Sequence, residues 1–164
     1  MLVTAAVRGD QDAFARLYGR FGRVVHGLLA ARVPHDVAED LVQDVFLNAY
    51  SHLSDLRDPA AFGGWVCAMA RRRAIDHYRR HAVTEPMSDA IASPDKPDVM
   101  ADGRRIIAVI HTLPEAYRET LVLRLVEGYS GPEIAELTGL SPGSVRVNLH
   151  RGFRLLRDKL GVAP

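Results

Sequence analysis

Five cationic side chains, Arg146, Arg151, Arg154, Arg157 and Lys159, crowd a stretch whose one acidic residue is Asp158. Val145, Leu149, Phe153 and Leu156 recur through it every three or four residues, so one helical face is apolar and the opposite face basic. Such a helix fits a DNA major groove, with its first turn at base edges and its cations near phosphates. The plainer alternative is a helical hairpin with a solvated basic face. A second group, Arg71, Arg72, Arg73, Arg79 and Arg80 against Asp76, lies among Phe62, Trp65, Val66, Met69 and Tyr78. Arginines beside exposed aromatics suit single-stranded nucleic acid, because guanidinium groups hold phosphates and rings stack unpaired bases. Here the alternative is a packed aromatic core with solvated arginines.

A third constellation is acidic. Asp40, Gln43, Asp44 and Leu47 fall at helical spacings of three and four and form one ridge, with Phe46 beside it. A solvated acidic face explains the carboxylates, whereas a docking surface for a basic partner explains the apolar residues among them as well. Evidence for metal or catalytic chemistry is weak. His77 and His81 have the i, i+4 spacing of metal ligands and Asp76 adjoins them, but they stand in a basic run and no nucleophile or phosphate-binding loop accompanies them. Cys67 is the single cysteine and reads as buried packing, and His26 reads as a hydrogen-bonded core histidine with no assigned function.

These groups need helices to hold them. Gly9-Asp10 opens a long apolar pattern from Phe14 to Leu29 that ends near Arg32, and after Pro34 an Asp36-x-x-Glu39 start opens a second helix with Val37, Leu41, Val45 and Ala49 facing inward. The segment 52–61 reads as a loop, and a third helix runs from about Ala60 to His81. From Ala82 to Gly103 the composition turns acidic and proline-bearing, which marks a flexible linker. A short helix around Ile106–Ile110 follows, then one from Leu113-Pro114 to Gly128. Ser130 and Glu133 have capping-box spacing, Gly139 stops that helix, and Ser141-Pro142 starts the basic one, giving a helix-turn-helix. The fold class is all-α: two small helical domains, 1–81 and 104–164, joined by the acidic linker 82–103.

At 164 residues and 48% hydrophobic content the chain has enough material for genuine cores. Its net charge of +1 conceals segregation, since Asp36, Glu39, Asp40, Asp44 and Asp55 precede Arg57 in a stretch without Lys or Arg. With no signal-peptide pattern and no apolar run of roughly 20 residues, the expected location is the cytoplasm, without membrane insertion.

Four stretches in order, FARLYGRFGRVV, AEDLVQDVFLNAY, FGGWVCAMARRRAIDHYRR and LPEAYRETLVLRLVEGYSGPEIAELTGLSPGSVRVNLHRG, resemble the extracytoplasmic-function, or group IV, sigma factors of bacterial RNA polymerase. The resemblance spans nearly the whole chain. It implies that 1–81 is sigma region 2, 104–164 is sigma region 4, and the chain is no enzyme and uses no cofactor. It implies that Asp40, Gln43, Asp44 and Leu47 bind core RNA polymerase, and that the loop 54–61 with Trp65, Arg71, Arg72, Arg73, Arg79 and Arg80 captures the melted minus-10 strand. Ser144, Arg146, Val147 and Asn148 then face minus-35 bases, with Arg151 nearer the backbone. An anti-sigma factor is a further implied partner. Two positions depart from the family pattern: Arg72 stands where Asn is common, and Val147-Asn148 stand where Ser and Arg usually follow. Asn pairs with adenine in a bidentate manner and valine touches a thymine methyl, so promoter preference shifts. The competing reading is a free-standing helix-turn-helix regulator that uses the N-terminal domain to dimerise.

Overall fold

The computed structural model describes residues 1–82 and 99–162, the side chains of 99–102 excepted. Every regular element among them is helical. A short α1, Leu2–Val7, precedes the patterned part of the chain and packs across α2, Gln11–Ala30. The cap of α2 is Asp10, whose carboxylate accepts the Ala13 N–H at 3.0 Å. Helix α3, His35–Ser51, starts two residues earlier than the Asp-x-x-Glu signal implies. Pro34 already supplies the extended backbone of a cap residue, so Asp36 falls inside the first turn and Glu39 instead faces His35 at 3.5 Å. Two short 3-10 turns, Leu53–Asp55 and Pro59–Ala61, occupy the expected loop, and α4 runs from Phe62 to His81.

Helices α2, α3 and α4 close on one another through Leu28, Val45, Ala49, Phe62, Val66 and Ala70, all essentially without exposure. Small residues on α4 let its backbone sit close to its neighbours, and each large side chain so buried contributes roughly 1.5–3 kcal/mol.

The C-terminal part consists of α5, Val99–His111, α6, Glu115–Leu125, α7, Gly131–Thr138, and α8, Pro142–Leu160. Helix α5 takes in 99–103, which composition assigns to the linker, because Asp102 and Gly103 interrupt the apolar pattern without breaking the helix. The expected linker residues 83–98 lie outside the described residues.

Local chemistry fixes the α7–α8 pair. Ser130 and Glu133 form the full capping box: the Ser130 N–H donates to Glu133 Oε2 at 2.7 Å and the Glu133 N–H donates to Ser130 Oγ at 3.4 Å. Those bonds hold the exposed Glu133 carboxyl below its ordinary range. Gly139 takes φ +75°, a conformation that costs a side-chain-bearing residue steric strain, and turns the chain. Ser141 then caps α8 by accepting the Ser144 N–H at 3.1 Å, with Pro142 in the first turn. Ile134, Leu137, Val145 and Leu156 are buried between the helices, as the periodicity requires. Gly152 sits on the same face; a Cβ there would lie 3.1 Å from Leu121, so α6 and α8 touch nearly backbone to side chain. Replacing Ser130 with alanine removes one cap acceptor, and the full chain is expected to lose about 1 kcal/mol of stability, read as a lowered midpoint in thermal unfolding; an unchanged midpoint contradicts the cap.

Candidate nucleic-acid interface

Helix α8 presents its first turns outward. Ser144, Arg146 and Val147 are exposed and Asn148 is half-buried, while Val145 beneath them is buried and fixes the helix rotation. Arg151, Arg154, Arg157 and Lys159 are exposed too, and among the described residues none of these cations is in an ion pair. The predicted reading residues thus stand together on one face. Ser144 shares a hydroxyl hydrogen bond with Ser141 at 2.8 Å, which orients its side chain toward the cap.

Helix α4 behaves differently. Arg72 and Arg79 are exposed, but Arg71 and Arg73 are committed to carboxylates. Arg73 pairs with Asp44 of α3 at 2.5 Å, so one residue of the acidic ridge is bonded to one of the predicted strand-binding arginines. Trp65 is half-buried and tilted against Phe62, with ring centroids 6.0 Å apart. The exposed Tyr78 ring is tethered, its hydroxyl donating to the Arg32 carbonyl. His77 and His81 stack at 4.1 Å, and His81 Nδ1 donates to the His77 carbonyl at 2.8 Å. Desolvation, His81 and Arg73 together push the His77 pKa down.

On α3, Asp40, Gln43 and Leu47 are exposed, Leu47 at 68%. Phe46, expected beside them on the docking surface, is instead only 3% exposed: the buried arc of α3 is wide, and Phe46 packs against Tyr18 with centroids 4.5 Å apart. An apolar groove adjoins the ridge, lined by Phe14, Tyr18, Leu47 and Tyr50.

The two helical halves pack against each other through charge. Glu119 of α6 is 6% exposed and its carboxylate is shared: Arg71 donates Nε to Oε2 at 3.0 Å and a terminal nitrogen to Oε1 at 2.5 Å, and Arg32 donates to Oε2 at 3.0 Å. Arg32, 7% exposed, also donates to Glu115 at 2.8 and 3.0 Å and to the Leu28 carbonyl at 3.0 Å. Burial opposes the charge on Glu119, but hydrogen bonds and attraction from Arg71, then Arg32, outweigh it and hold the carboxyl below its ordinary range. Close contacts reinforce this seam. A Cβ on Gly27 would come within 2.6 Å of Leu123, and one on Gly63 within 3.0 Å of the Leu137 carbonyl. Cys67 is fully buried beside that same carbonyl, to which its thiol donates at 3.5 Å; burial, opposed by Arg71, pushes the thiol pKa up to about 12.

His26, read as a core histidine, is half-buried at the seam, with Nδ1 2.8 Å from Glu127 Oε1. Sequence reasoning missed Arg32, Glu119 and Glu127. The available signal was a glutamate, Glu119, standing beside the uniformly apolar run Leu121–Leu123, but its partners lie 48 and 87 residues away.

Comparison with known proteins bears on this geometry. A model of "Sigma-70 region 2" matches residues 17–84 and one of "Sigma-70, region 4" matches residues 103–156. The chain is 36% identical to the RNA polymerase sigma factor CarQ of Myxococcus xanthus, covering 93% of this chain and 92% of that protein. It is 28% identical to the ECF RNA polymerase sigma-E factor of Haemophilus influenzae, over 97% and 93%. The solved structure of CnrH in complex with the cytosolic domain of CnrY superposes with a TM-score of 0.65 at 25% identity, over 99% of this chain and 97% of that one. No helix among the described residues is long and apolar enough to cross a membrane.

The His26–Glu127 pair carries a pH signature. The Glu127 hydrogen bond raises the His26 pKa, burial lowers it, and the charges of Glu127 and Glu39 raise it further, with a net upward shift. A raised folded value means that the pair's stabilisation is complete below the unfolded pKa of about 6.5 and is lost as pH rises through the folded one. Between pH 6 and pH 8 the wild-type melting temperature should therefore fall more than that of His26→Gln, by an amount corresponding to under about 1 kcal/mol; parallel profiles refute the pairing.

Proposed function

The chain belongs to the sigma-70 family, in its extracytoplasmic-function group of sigma factors that direct transcription initiation, and we propose that it does so by a two-point grip on promoter DNA. Residues 104–164, with α8 as the reader, take the minus-35 duplex; residues 1–81, with α4, take the melted minus-10 strand and core RNA polymerase. The observation that carries this reading is the outward face of α8, where Ser144, Arg146 and Val147 are exposed with Asn148 half-buried beside them, on a doubly capped frame.

Each part has a physical role. The N-terminal turns of α8 would enter the major groove, where Asn148 suits adenine and Val147 the thymine methyl, while Arg151 and the cations beyond it contact phosphates and set register. Trp65 and the turns before α4 would receive an unpaired base, and Arg71, Arg72, Arg73, Arg79 and Arg80 would line the strand's backbone; each stacked base recovers roughly 1–3 kcal/mol of the unpairing cost. No bond is made or broken in these steps, so the role is binding and not catalysis. Asp40, Gln43 and Leu47 leave α3 as an acidic ridge with an apolar centre, suited to basic helices of the polymerase. Asp44, through its bond to Arg73, ties that ridge to the strand-binding helix. CnrH is found with a protein partner, the cytosolic domain of CnrY; for this chain we infer an anti-sigma partner that covers the same surfaces, and a cytoplasmic location. A free-standing regulator would leave the acidic ridge and α4 without a shared purpose.

Run-off transcription with purified core polymerase on a randomised promoter library tests the reading, and failure to initiate on any template sinks it. Within that assay Asn148→Ala is expected to change the preferred minus-35 sequence, with discrimination at one base pair altered by about 1–3 kcal/mol, whereas Arg151→Ala weakens all promoters alike. Equal losses on every template for both variants contradict the placement of α8.

A further inference from the structure

We propose that the chain is autoinhibited by an internal phosphate mimic: Glu119 of α6 occupies Arg71 of α4 and, with the seam around it, withholds Arg71 and the start of α4 from the strand until the halves separate, while Arg72 and Arg79 stay exposed. This rests on the reading that Arg71 faces the melted strand.

The geometry supports it at three levels. A carboxylate held by two parallel N–H donors of a guanidinium presents the same pair of oxygens that a phosphate diester presents. Here both Glu119 oxygens are engaged and the residue is 6% exposed, so the two-nitrogen edge of Arg71 that would grip a phosphate is closed while Glu119 remains. Arg32 makes the substitute hard to dislodge by local motion, because it is itself fixed to Glu115 and to the Leu28 carbonyl. The second level is steric. The α7–α8 turn lies on the start of α4: a Cβ on Gly139 would sit 3.5 Å from the Gly64 Cα, next to Trp65. The third is distance. Elements named for positions 35 and 10 lie about 25 base pairs apart, roughly 85 Å at about 3.4 Å per pair. A chain whose α4 and α7 touch cannot hold both.

The acidic ridge is not covered by this closure, since Asp40, Gln43 and Leu47 are exposed in the closed arrangement. Polymerase can therefore dock before the latch opens, and strand phosphates then replace Glu119 on Arg71.

Cys67 supplies the readout. It is the chain's single thiol and is buried against α7, so its alkylation rate reports separation of the halves. Two variants of the full chain open the seam independently. Glu119→Gln keeps the shape and removes the charge; Gly27→Val touches no charge and wedges against Leu123, where even a Cβ has only 2.6 Å. Both should retain a cooperative melt, alkylate at Cys67 about tenfold faster and bind a fluorescent single-stranded oligonucleotide about tenfold more tightly than wild type. Arg71→Ala added to Gly27→Val should abolish the gain in binding. Should Glu119→Gln fail to fold, Gly27→Val carries the test. Unchanged alkylation in the folded variants overturns the latch. Faster alkylation without tighter binding, or a gain that survives loss of Arg71, overturns the mimicry. Opening with an Arg71-dependent gain but no run-off transcription by the wild-type chain removes the promoter reading and leaves the latch standing.

Discussion

One carboxylate between two guanidinium groups governs the relation of the two halves. Glu119 is buried with Arg71 on one side and Arg32 on the other, and both its oxygens accept hydrogen bonds from them. Such a group adds little to net stability, because attraction mainly offsets the cost of taking three charges out of water. Its effect lies in what it forbids. Removing one partner leaves an unpaired buried charge, at a cost of about 3–5 kcal/mol, so any sliding of α6 along α2 and α4 that breaks the set is penalised steeply. The seam has one register for that reason, and Gly27 against Leu123 and Gly63 against Leu137 can approach as closely as they do because that register is fixed.

Helix α8 is organised on the opposite principle. Its supports are short-range: a capping box, a left-handed glycine, a serine cap and a proline in the first turn, all within 13 residues of one another. Nothing in that frame depends on the seam, so α7 and α8 can leave α4 without losing their geometry. The contrast divides the chain into a part that must keep its shape and a contact that can be given up.

The same contrast explains what the sequence made legible. The α7–α8 pair, the core stripe of α2 and the basic face of α8 follow from spacings of three, four and seven residues, and the structure has them where the pattern places them. Phe46 departs from the expected docking surface because α3 buries Leu41, Val42, Val45 and Phe46 together, a wider arc than the stripe Val37, Leu41, Val45 and Ala49 implies. The short α1 has no side-chain cap to announce it. Arg71 could be recognised as one of a basic cluster, but not as a spoken-for member, since nothing near residue 71 mentions residue 119. A hydrogen-bonded His26 follows from its place beside an apolar face, while its partner across the seam, Glu127, is out of reach of any local rule.

The close fits at the seam also bear on inheritance. Gly27 and Leu123, Arg32 and Glu119, and Gly63 and the Leu137 backbone are matched pairs whose members come from different halves of the chain. A larger residue at position 27 leaves the seam closed only with a smaller one at 123, and a neutral residue at 32 only with a neutral one at 119. The halves are therefore bound to drift together. A hybrid that joins one half to its counterpart from a relative would keep the capped α7–α8 pair, whose supports are all local, and lose the fit of the seam, whose supports come from both halves.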